Sequence, residues 1–305
     1  MYNNDMEVII NQILIMAILI FVGYVLCKTQ FINQNVTKGL SNILLRFIIP
    51  FTIIESFIQP FTTEKLKQLV IVSIISIVIT FLMICISKVF FKKDQLLEQY
   101  ATIFTNKGFV GIPIVLAVFG SEAVSIITPI IVISNVFAWT YGMSLLYNEK
   151  LNLDIRKIIT NPSIVGLLIG LVFFFMPFGL PYPITRSINY LTSINTPLAM
   201  MILGAYLADE QMKQVFTNKS GYQVSIVRLI IMPMIVLSIM KVLLIDPLMK
   251  SVIVIAYSVP SAANTAMFAQ LTGSNYSFGA QIVSLTTILS GLSLPLMLYL
   301  MEIIL

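Results

Sequence analysis

Two side chains able to hold a ligand stand side by side mid-chain, in T-N-K-G-F-V-G-I-P-I-V-L-A-V-F-G from Thr105 to Gly120. Asn106 offers amide donors and a carbonyl acceptor, and Lys107 offers a positive charge. Gly108, Gly111 and Pro113 follow at once and interrupt any helix that runs through them. A second polar stretch, S-V-P-S-A-A-N-T, gathers Ser258, Pro260, Ser261, Asn264 and Thr265. Together with Thr105 these groups suit the holding of a small polar or anionic ligand by hydrogen bonds.

Bond-making chemistry has little to work with. The chain has no histidine, which excludes imidazole metal sites and histidine-dependent catalysis. No Asp or Glu stands within either polar stretch, so no nucleophile–base pair or carboxylate dyad is visible there. The two cysteines, Cys27 and Cys85, each close an apolar run and read as small packing residues. No metal and no cofactor is expected.

The elements that must position these residues are built for lipid. Of 305 residues, 58% are hydrophobic and only 10% charged, far from the roughly 25% charged residues of soluble domains. Ten apolar segments recur, at about 8–27, 39–58, 68–90, 97–119, 123–147, 158–176, 189–208, 222–245, 248–271 and 278–303. This predicts an all-α polytopic membrane protein with ten transmembrane helices. The start, M-Y-N-N-D-M-E, lacks a positive region, so Val8 to Cys27 reads as a retained first span. Charge and turn formers fill the connections, which leave no room for a soluble domain. Alternate loops carry ten and five Lys or Arg. The richer side is expected in the cytoplasm, with both termini outside a plasma membrane. The net charge of +5 therefore bears on orientation and does not indicate nucleic acid.

The segments fall into two sets of five, residues 1–150 and 151–305. The fourth is interrupted at Asn106 and the ninth at Pro260, and each ends at a Gly-Ser pair, Gly120–Ser121 and Gly273–Ser274. Because five is odd, the second set enters the membrane from the opposite side. This predicts a 5+5 inverted repeat with broken helices 4 and 9 that cross near mid-membrane. Backbone freed at such breaks is satisfied by protein or by a water-lined cavity, never by lipid. Helix starts there suit an anion, and helix ends suit a cation or polar partner. The competing role for each Ser, Thr and Asn is a hydrogen bond between helices.

Lys107 leaves several roles open. A cation within a span costs about 2.5–3.5 kcal/mol on the mildest scale, so it needs a cavity or a partner. It could be the counter-charge of a substrate carboxylate, a fixed cation where a coupling sodium would otherwise sit, or a proton-coupling group. It could also snorkel or pair structurally. Arg46 and Arg228 are expected to snorkel towards the cytoplasmic interface. Pro50, Pro197 and Pro233 are expected to kink their helices.

The N-x-x-x-x-G-I-P spacing of Asn106, Gly111, Ile112 and Pro113, with F-G at 119–120, resembles the fourth span of the auxin efflux carrier family. So do V-P-S-A-A-N-T-A-M-F-A-Q-L-T-G at 259–273 and T-T-I-L-S-G-L-S-L-P at 286–295. Asn161–Pro162 and P-L-A-M-M-I-L-G-A-Y-L-A at 197–208 are similar to the bacterial permease branch, as is the short loop at 148–157. The resemblance implies a fold like that of bile-acid/sodium symporters and sodium–proton antiporters. It implies a scaffold of spans 1, 2, 6 and 7 and a transport unit of spans 3–5 and 8–10 that moves as an elevator. Implied substrates are small organic anions: auxin, malonate, malate or similar carboxylates. Implied roles are contact with the carboxylate for Asn106 and the second crossover proline for Pro260. Lys107 departs from the small or polar residue usual there.

Three functional classes follow. A secondary transporter of a small carboxylate fits the central break best. A channel would more usually show rings of repeated pore residues. A membrane-embedded enzyme would need the reactive pair that is not visible here. The expected partners are an organic anion and the lipid bilayer, with no nucleic acid, and a homodimer stays open.

Overall fold

The computed structural model describes residues 2–58, 62–148, 160, 162–176, 180–208 and 212–305. Lys150, Arg156 and Lys157, counted above for orientation, and Asn161 lie outside the described residues. The protein is all-helical: among the described residues β-type pairing is confined to one isolated bridge.

Helix α1 is Tyr2–Lys28, and α2 spans 34–57. Helix α3 is Thr63–Phe90, α4 is Leu96–Ile103, α5 spans 107–119 and α6 spans 121–146. Helix α7 is Pro162–Phe175 and α8 spans 182–208, with a turn at Ile194. Helix α9 is Met212–Thr217, α10 spans 219–242, α11 is Pro247–Ser258, α12 is Asn264–Thr272 and α13 is Tyr276–Ile304. Among the described residues six helices are long and apolar enough to cross a membrane: Gln34–Glu55, Thr63–Phe90, Ala123–Leu146, Tyr182–Ala208, Lys219–Val242 and Tyr276–Ile304. Shorter apolar helices run over Leu14–Lys28, Lys107–Leu116, Ile164–Phe175 and Pro247–Ser258.

Local sequence explains where these helices begin. Asn33, Thr62, Asn218, Asp246 and Asn275 each accept a first-turn backbone N–H through the side chain. Pro247, just inside α11, gives up only an N–H that a helix start leaves unpaired. Three prolines expected as kinks or breaks share another device. Pro50, Pro113 and Pro233 each stand two residues beyond a widened, π-type turn, at Leu44–Ile48, Lys107–Gly111 and Val227–Ile231. A proline lacks its N–H and presses on the carbonyl four residues back, and a wider turn upstream relieves both defects.

Packing divides the helices into two kinds of contact. Helix α1 lies against α8 so closely that a Cβ on Gly204 would fall 1.9 Å from the Ile20 carbonyl oxygen. One on Gly23 would fall 2.0 Å from that of Met201. Helix α7 meets α2 the same way, with a Cβ on Gly166 falling 2.8 Å from the Pro50 oxygen. Such seams let backbones touch, which is how helices gain packing where lipid is as apolar as they are. The α4–α5 and α11–α12 region is instead joined by polar bonds, and residues 97–107 and 252–263 are buried throughout.

Candidate functional site

Two interruptions meet in space. Helices α4 and α11 end at Ile103 and Ser258, and the chain beyond each runs extended. Thr105 and Ser261 pair as an antiparallel bridge. The Asn106 N–H donates to the Pro260 carbonyl at 2.8 Å, and the Ala262 N–H to the Phe104 carbonyl at 3.0 Å. Pro260 explains the second interruption, because it holds Val259 extended and has no N–H to continue α11. The hydroxyl of Thr105 donates to the Ala256 carbonyl at 3.3 Å, and the Ser261 N–H to the Thr286 hydroxyl at 3.3 Å. Each break thus satisfies much of its freed backbone on the other.

Arg228 corrects an expectation. It does not snorkel: it is fully buried, donating to the Thr102 carbonyl at 3.0 Å and to the Tyr257 carbonyl. Those carbonyls belong to the last turns of α4 and α11. A guanidinium there answers two helix C-termini at once, whose partial negative charge favours a cation. Depth along the segment suggested an interface, but the breaks supply acceptors inside that sequence position alone cannot show. Arg46, in contrast, is exposed on α2.

A cavity of about 80 Å³ lies between the breaks and the helices facing them. Thr105, Asn106, Gly108, Ala262, Ala263 and Asn264 line one side, and Thr52 of α2, Asn135 of α6 and Asn195 of α8 line the others. Helices α5 and α12 both start here without a side-chain cap, unlike the capped starts described above. An uncapped, buried helix start leaves donors and a positive dipole end for a ligand. Three side-chain atoms of residues lining it lack a protein partner, Asn106 Nδ2, Asn264 Oδ1 and Asn195 Oδ1, as do Ser261 Oγ and Thr265 Oγ1 on chain neighbours that do not line it. Buried polar groups are nearly always hydrogen-bonded, so this cluster marks a place that a ligand or water completes.

Lys107 does not line that cavity. Its ammonium donates to the Ser134 hydroxyl at 2.8 Å and sits 4.3 Å from the centroid of the Tyr257 ring. The Tyr257 hydroxyl in turn donates to the Ser76 carbonyl at 3.2 Å. Lys107 therefore binds the α5 start to α6 and α11 through neutral partners, including a cation–π contact.

The remaining expected residues take simpler positions. Ser258 is buried at the end of α11 and donates to its own helix at the Val254 carbonyl, 2.7 Å away. Gly111 packs α5 on α6, where a Cβ would come 3.1 Å from Ile127 Cδ1. Gly108 faces open space, and the backbone of Pro113 belongs to the first turn of Ile112–Phe119. Sequence reasoning passed over Thr52, which stands among apolar residues, Asn135, which follows Ser134, and Asn195, within T-S-I-N-T. It also missed the partners of Lys107, Ser134 and Tyr257. The one signal available was that an asparagine in a span needs a partner.

A groove of about 560 Å³ runs along the end of α10, and another of about 280 Å³ lies between α10 and α13. Aliphatic side chains line both almost entirely, without the convergent polar groups of a specific site.

Comparison with known proteins agrees with a transport role. The model of a family described as Membrane transport protein matches residues 8–155 and 147–298. An uncharacterized transporter of Methanocaldococcus jannaschii is 29% identical over 301 residues, covering 94% of this chain and 96% of the relative. An uncharacterized transporter of Methanothermobacter thermautotrophicus is 25% identical over 297 residues, covering 94% and 96%. A protein of Rhizobium meliloti named "Putative malonate transporter" is 23% identical over 300 residues, covering 93% of each.

Proposed function

The chain belongs to the Membrane transport protein family, that of the auxin efflux carriers, and from that premise we propose that it is a secondary transporter of a small organic anion. It is a multi-pass membrane protein, and its substrate is a mono- or dicarboxylate of the malonate or malate kind. The observation that carries this reading is the cavity at the joined breaks, where two uncapped helix starts and the unpartnered Asn106 amide converge. A carboxylate placed there accepts from those donors, and charge-assisted bonds of this kind are the strong ones. Among the described residues no carboxylate side chain lines the cavity to repel it.

The architecture proposed is ten spans in a 5+5 inverted repeat, with α4–α5 and α11–α12 as the crossing broken helices. Helices α1, α2, α7 and α8, held by the glycine seams, form the scaffold. The rest moves against it as the transport unit, carrying Asn106, Pro260, Ser261, Asn264 and Thr265 past Thr52 and Asn195. Lys107 stands as a fixed cation beside the breaks, which makes transport independent of sodium. Both termini face outward from the plasma membrane.

Uptake of radiolabelled small carboxylates into proteoliposomes tests this. Saturable uptake that collapses in Asn106→Ala, in a variant that still folds, supports the carrier. Flux that does not saturate and ignores that substitution contradicts it.

A further inference from the structure

The cavity has two chemically different walls. The broken-helix wall supplies donors, the helix starts of α5 and α12 and the Asn106 amide, whose Nδ2 has no protein acceptor, beside one unpartnered acceptor, Asn264 Oδ1. Across from it, on α8, Asn195 is 8% exposed and lines the same cavity.

The orientation of the Asn195 amide follows from its neighbour. The Thr52 hydroxyl donates its one hydrogen to the Ile48 carbonyl at 3.1 Å. Thr52 therefore accepts from Asn195, whose Nδ2 lies 3.3 Å away. This turns Asn195 Oδ1 away from Thr52 and leaves it buried without a donor. An acceptor in that condition costs free energy until something donates to it.

We infer that Asn195, seated on Thr52, is a second recognition element of this cavity, selecting substrates with a hydrogen-bond donor opposite the carboxylate. The fitting class is a short hydroxy acid, or a short dicarboxylate that keeps one proton. A second ionised carboxylate would meet an acceptor there and no cation, since Lys107 lies outside the cavity. A volume of about 80 Å³ suits an acid of a few carbons. The inference rests on the carboxylate-carrier reading of the same site and adds to it what the far wall recognises.

Proteoliposome uptake of 3-hydroxypropionate and propionate tests it, because the two acids differ only in the terminal hydroxyl. The wild-type KM should be about tenfold lower for the hydroxy acid, the worth of one hydrogen bond to an otherwise unsatisfied group. Asn195→Leu should bring the two KM values together by raising that of 3-hydroxypropionate about tenfold more than that of propionate. Thr52→Val, which removes the seat of the amide, should narrow the gap in the same direction. It serves as the test if Asn195→Leu does not fold. Saturable, Asn106-dependent uptake of both acids with equal wild-type KM values overturns this inference alone. So does a variant that raises both KM values equally. The absence of saturable uptake of either acid overturns it together with the carrier reading.

Discussion

Asn106 and Lys107 are neighbours in sequence and equally buried, at 3% exposed each, yet they face different surroundings. Asn106 points into the cavity, and its amide nitrogen finds nothing in the protein. Lys107 turns to the other side, onto a serine hydroxyl and a tyrosine ring. On the function proposed above, unsatisfied hydrogen-bonding capacity rather than charge marks the ligand position. The cation with neutral partners holds the break together. The neutral amide has a nitrogen with no partner in the protein, and the proposed carrier uses it for the ligand.

The largest effect should come from the group that holds both breaks. Arg228→Met removes two charge-assisted bonds to helix-end carbonyls, so stability in detergent should fall by about 3–5 kcal/mol, read as a lowered thermal midpoint. An unchanged midpoint would mean that the two C-termini need no cation. Asn106→Ala should split function from stability. Transport efficiency should drop about 10- to 100-fold, the worth of a charge-assisted bond to substrate, while the thermal midpoint stays in place.

Ser134→Ala should show the reverse pattern and a smaller size. It leaves the Lys107 ammonium with one partner fewer, at a cost of about 1–2 kcal/mol in stability, and the KM for substrate should not move. A raised KM in that variant would bring Lys107 into the ligand site and blur the comparison. The smallest expected change is none: replacing sodium by choline in the uptake buffer should leave the initial rate unaltered. Stimulation by sodium would contradict Lys107 as the resident cation beside the breaks.

Much of this was legible in the sequence, for reasons that also set the limit. Hydropathy locates apolar helices because each must satisfy its own backbone in lipid: the described parts of the apolar segments are mostly helical apart from the breaks at 104–106 and 259–263, and six helices among the described residues are long and apolar enough to cross a membrane. The interruptions at Asn106 and Pro260 were legible because glycine, proline and polar residues are costly inside a span. Which way Asn106 and Lys107 point was not legible, since helical periodicity carries no phase across a break. Arg228 was misread because its two acceptors come from residues 126 and 29 positions away in the chain. Asn195 and Thr52 stand on separate helices, and only their meeting across 143 positions gives them meaning.

The most direct test of the contrast is equilibrium binding of a transported short carboxylate to the purified protein, followed by isothermal titration calorimetry. Wild type, Asn106→Ala and Lys107→Met are compared under one buffer. Binding should weaken about 10- to 100-fold in Asn106→Ala and stay within about fivefold of wild type in Lys107→Met. The reverse ranking, with binding lost in Lys107→Met and kept in Asn106→Ala, would contradict the account and make the charge the ligand's partner.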